Sequence, residues 1–118
     1  MRQDGCMTKV DRALAMGNAT IALANPTNPE LFANGVRTSL QWFADQNPGR
    51  AVEVRVPPYL AIQILGGTTH RRGTPPAVVE MSPLTWLELF TKKLTWDDAV
   101  ANGKITASGE RSDLGELL

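Results

Sequence analysis

Apolar residues recur at two different spacings along this 118-residue chain, and the change between them divides it into helical and extended stretches. Residues 1–9 carry no periodicity and are expected to be flexible. From Val10 the spacing becomes three and four, with Val10, Leu14, Gly17, Ile21 and Ala24 on one face of a helix over residues 10–24. That face is rich in small residues, so the helix is expected either to pack closely or to cover the domain loosely. Asn25-Pro26-Thr27-Asn28 breaks it, because proline cannot continue the hydrogen-bond ladder. A second helix starts with Asn28 as N-cap, Pro29 where its missing N–H is harmless, and Glu30 at the positive helix end. Its apolar stripe is Leu31, Phe32, Val36, Leu40 and Phe43, and Asn47-Pro48-Gly49 ends it.

The period then falls to two. In residues 51–56, valines alternate with Glu53 and Arg55, the pattern of a strand with one wet face. Pro57-Pro58 closes it. Residues 60–65 form a second strand and Gly66-Gly67 a turn; Thr68 to Pro76 is a polar loop, and residues 77–81 form a third strand. Ser82-Pro83 repeats the cap-then-proline arrangement ahead of Trp86, Leu87, Leu89 and Phe90. Thr95 with Asp98 three positions on is a capping box for a short fourth helix, which Gly103 ends in a left-handed conformation. Residues 104–108 read as a fourth strand, and the tail from Asp113 allows one helical turn. No stretch is long or polar enough to divide the chain, so residues 10–118 are expected to form one α+β domain. Its mostly antiparallel four- or five-stranded sheet is covered on one face by helices, since an alternating sheet needs cover for its apolar face.

Twelve basic residues balance twelve acidic ones, which argues against a nucleic-acid partner, because that function needs a basic excess. No apolar run approaches the roughly 20 residues of a membrane span, so no stable membrane insertion is expected. One cysteine, Cys6, excludes an intramolecular disulfide; with no signal-like leader, the expected location is cytoplasmic. His70 is the only histidine, too few for an imidazole metal centre, and it reads as a solvated loop residue. No serine-nucleophile elbow or phosphate-binding glycine loop occurs. Asp97 and Asp98 are accounted for by capping, and the chain reads as non-enzymatic, without cofactor or metal.

Three consecutive motifs carry a family resemblance: residues 82–90, residues 94–100, and Gly103-Lys104-Ile105-Thr106-Ala107-Ser108-Gly109, a G-x-hydrophobic-x-x-x-G strand. With residues 52–58 and 72–80, they make the chain from about residue 29 to 118 resemble the sterol carrier protein type 2 family. The likeness is closest to its compact actinobacterial branch. The helix over residues 10–24 is an addition to that family pattern, and the chain stops at Leu117-Leu118, where relatives tend to run further.

The resemblance implies that an apolar ligand (lipid, fatty acyl or sterol-like) lies in a tunnel between sheet and helices. The expected lining is Phe32, Val36, Leu40 and Phe43 from the second helix, Val54, Ile62 and Ile64 from the strands, and Trp86, Leu89 and Phe90 from the third helix. Burial contributes about 0.8 kcal/mol per methylene, against several kcal/mol of ordering cost. A long chain therefore reaches micromolar affinity, about 8 kcal/mol, without specific hydrogen bonds. Arg71 and Arg72, adjacent on the proline-flanked loop, are the candidates for an acidic head group. The alternative is a free-standing accessory module that completes or regulates a separate enzyme, as carrier-like domains do in thiol-dependent isomerases. A protein partner or homodimer is compatible with either reading.

Overall fold

The computed structural model describes residues 11–65, 77–109 and 114–118. Its elements run α1 (Arg12–Ala24), α2 (Pro29–Gln46), β1 (Val52–Val56), β2 (Leu60–Ile64), β3 (Ala77–Met81), α3 (Pro83–Phe90), α4 (Trp96–Ala101) and β4 (Ile105–Ser108). The N-caps fall where local chemistry puts them. Asn28 Oδ1 accepts from Leu31 N at 3.1 Å, Ser82 Oγ from Thr85 N at 3.1 Å, and Thr95 Oγ1 from Asp98 N at 3.1 Å. Each satisfies one of the orphan donors of a first helical turn.

Among the described residues the sheet has four strands in the order β2-β1-β3-β4. It is mixed: β1–β2 and β3–β4 pair antiparallel, and the central β1–β3 pair is parallel. The parallel pair arises because β2 returns beside β1 as a hairpin, leaving the opposite edge of β1 for the next strand. Register sorts the side chains cleanly. Val52, Val54 and Val56 share a face with Ile64, Ala77, Val79 and Met81, all buried, while Glu53, Arg55, Gln63 and Glu80 share the other. On that wet face Arg55 bonds to Glu53 at 3.1 Å, which raises the guanidinium pKa, first through the hydrogen bond and then through charge. The helices thus cover one face, as an α+β layer architecture requires.

α1 reverses an expectation from periodicity. Leu14 and Ile21 lie 48% and 45% exposed, and the buried face is Ala15, Ala19 and Ala22. The reason is the partner. At Gly35 of α2 an added Cβ would lie 2.4 Å from Ala22 Cβ and 2.6 Å from the Asn18 carbonyl oxygen. The two helix backbones therefore approach so closely that only small side chains fit between them, and the bulky stripe is turned outward. Asn18 Nδ2 donates to Thr38 Oγ1 at 3.2 Å beside this crossing. Leu31 is likewise exposed, and α2 buries Gly35, Val36, Ser39, Leu40 and Phe43.

Candidate functional site

The residues expected to line a tunnel come together, but as packing. Val36, Leu40, Phe43, Val54, Ile64, Trp86 and Leu89 are all within 1% of full burial and belong to one core cluster. Phe90 is nearly buried, whereas Phe32 and Ile62 are half-buried at its margin. Trp86 occupies the centre. Its ring meets Phe43 edge-on at 5.2 Å and stacks on Phe90 at 5.5 Å. Its indole Nε1 donates to Ser39 Oγ at 2.8 Å, and that hydroxyl lies 2.6 Å from the Gly35 carbonyl oxygen, to which it donates. A buried indole needs such a partner, and Ser39 is the residue that sequence reasoning missed.

The aromatic run continues outward: Phe90 meets Trp42 edge-on at 5.9 Å and 71°. There the helical layer opens into a pocket of about 130 Å³ lined by Arg12, Met16, Trp42, Phe43, Phe90, Lys92, Leu117 and Leu118. Phe43 and Phe90, both among the expected ligand contacts, form part of its wall. A wider cleft of about 430 Å³ adjoins it, and Lys92 and Leu118 line both. Leu114, fully buried, anchors the segment that brings Leu117 and Leu118 to the pocket, with Leu117 N donating to Leu114 O at 3.0 Å.

Lys92 has an uncommon backbone. It follows the C-cap of α3 with φ of 67°, while Lys93 N donates to Glu88 O at 2.8 Å and Lys92 N to Leu89 O at 3.1 Å. These two bonds define a Schellman motif, in which the left-handed position ordinarily falls to glycine. The chain obeys that preference at the end of α4, where Gly103 has φ of 69° and Lys104 N donates to Ala99 O at 2.9 Å. At α3 a lysine takes the same strained place, at the pocket rim.

Arg71 and Arg72, the expected head-group residues, lie outside the described residues, as do His70 and Cys6. Among the described residues no helix is long and apolar enough to cross a membrane.

No curated protein matches the chain. A family model described as a bacterial SCP ortholog matches residues 29–118. The match opens at Pro29, the first residue of α2, and so takes in the sheet, the three later helices and the C-terminal residues while leaving out α1. From α2 onward, the chain belongs to this bacterial family of sterol carrier protein-like proteins.

Proposed function

We propose that the protein is a non-catalytic binder of apolar ligands, and that the ligand is held on the helical side of the sheet at the pocket walled by Trp42, Phe43 and Phe90. The observation that carries this reading is the continuous aromatic run Trp42–Phe90–Trp86–Phe43, which leads from that opening to the centre of the core. Family membership supports the carrier role. Apolar walls with a few polar groups at the rim are the usual build of a small-molecule site. Val36, Leu40, Val54, Ile64 and Leu89 are packed core behind the pocket and do not line an open tunnel, and Phe32 and Ile62 lie at the margin of that core. A chain longer than the pocket runs past Leu118 into the adjoining cleft, or displaces the Trp86 cluster.

The test is thermal unfolding of the purified protein with dodecanol, dodecanoate and a sterol, read alongside tryptophan fluorescence. A bound ligand stabilises by RT ln(1 + [L]/Kd), about 2.7 kcal/mol at a hundredfold excess over Kd. An unchanged midpoint and unchanged emission with all three would remove the basis for a carrier.

A further inference from the structure

The pocket between α1, α2 and α3 has a chemical signature of its own. Six of its eight lining side chains are apolar or aromatic, polar atoms share its surface, and the two charged side chains, Arg12 and Lys92, are both cationic. Among the described residues neither makes an ion pair; the one recorded is Arg55–Glu53 on the opposite face of the sheet. The acidic residues Asp97 and Glu116 line the neighbouring cleft with Lys92, not this pocket. One guanidinium and one ammonium beside an aromatic pocket favour an anionic group at its rim.

Three independent features point the same way. Size is the first: about 130 Å³ suits one ring or a short branched chain. Origin is the second. Arg12 and Met16 come from α1, which lies outside the family match and contributes two of the pocket's lining residues. Backbone strain is the third, since Lys92 keeps a side chain where the motif favours none.

We infer that this pocket takes a compact apolar carboxylate, an aryl or short branched-chain acid, with its ring or chain against Trp42 and Phe90 and its carboxylate between Arg12 and Lys92. The inference rests on the binding function proposed above and deepens it: α1 turns a general apolar opening into a site selective for charge and size.

The experiment pairs 3-phenylpropionate with its neutral counterpart 3-phenylpropan-1-ol, titrated calorimetrically into the full chain and into R12Q, K92Q and R12Q/K92Q. Both substituted side chains are exposed, and circular dichroism checks that the fold is kept. The expected result is a preference for the acid of about tenfold in the parent protein. It shrinks in each single variant, vanishes in the double one, and weakens as salt is raised, while the alcohol is bound equally by all four. Equal affinity for acid and alcohol in the parent protein, or a preference that survives R12Q/K92Q, overturns the inference and leaves the carrier reading intact. If neither phenyl probe binds while dodecanol stabilises the fold, this pocket is not the site. If dodecanol fails as well, both readings fall.

Discussion

Trp86 and Ser39 stand 47 residues apart in the chain, yet the indole N–H of one donates to the hydroxyl of the other at 2.8 Å inside the core. The bond ties α3 to α2 under the sheet. Ser39 in turn bonds back to the Gly35 carbonyl of its own helix, at the point where α1 crosses. One short polar chain thus links α3 to α2 in an otherwise apolar interior, and ends at the glycine against which α1 packs.

Removing that hydroxyl leaves the Trp86 N–H buried and unpaired. Ser39→Ala is expected to cost about 1–3 kcal/mol in chemical denaturation, partly offset by the better helix propensity of alanine. Trp86→Phe in the same background should add less than it does alone, because its indole donor is already unsatisfied. Strict additivity in this double-mutant cycle would show that the bond contributes nothing to stability.

The α1–α2 crossing gives a second expectation. Gly35→Ala drives a methyl group against Ala22 and the Asn18 carbonyl, and an overpacked contact costs about 1–3 kcal/mol or more. Ala22→Gly should restore only part of the loss, since the Asn18 backbone remains in the way. Full recovery in G35A/A22G, read from the urea midpoint, would mean that the backbones are not in close contact.

The two faces of α1 should respond oppositely to size. Ile21→Ser, on the exposed stripe, is expected to change stability by no more than about 0.5 kcal/mol. Ala19→Leu, on the buried one, should destabilise by about 1–3 kcal/mol despite adding apolar volume. The opposite order would place Leu14 and Ile21 in the core, as simple periodicity suggests.

Lys92 offers a trade between stability and function. Lys92→Gly relieves the left-handed strain, about 1–2 kcal/mol for an L-residue, less the extra chain entropy of glycine, about 0.4–1 kcal/mol. A net gain of about 0.5–1 kcal/mol is expected in thermal unfolding, together with weaker binding of 3-phenylpropionate. A variant that is more stable and binds the acid as before would remove Lys92 from the site.

Much of the secondary structure was legible because its signals are local. Asn28-Pro29, Ser82-Pro83 and Thr95 each satisfy a donor within their own first turn, so a few consecutive residues suffice to place the starts of α2, α3 and α4. The valine alternation of β1 likewise specified which face is wet, as Val54 and Arg55 show. The candidate site was only half legible. Phe43 and Phe90 are among the expected ligand contacts and do wall the pocket, but Met16 and Trp42 were not singled out, and Arg12 and Lys92 carried no signal of their own.

The residue order alone therefore specified where elements begin, how they alternate and which valines face inward, since these depend on neighbours along the chain. Folding in three dimensions settled which stripe of α1 is buried, the pairing of Ser39 with Trp86, and the placement of Arg12 and Lys92 on one pocket. Those outcomes depend on the shape of a distant partner surface. A glycine at position 35 admits a backbone at close range, so small alanines face α2 and the larger Leu14 and Ile21 turn to solvent.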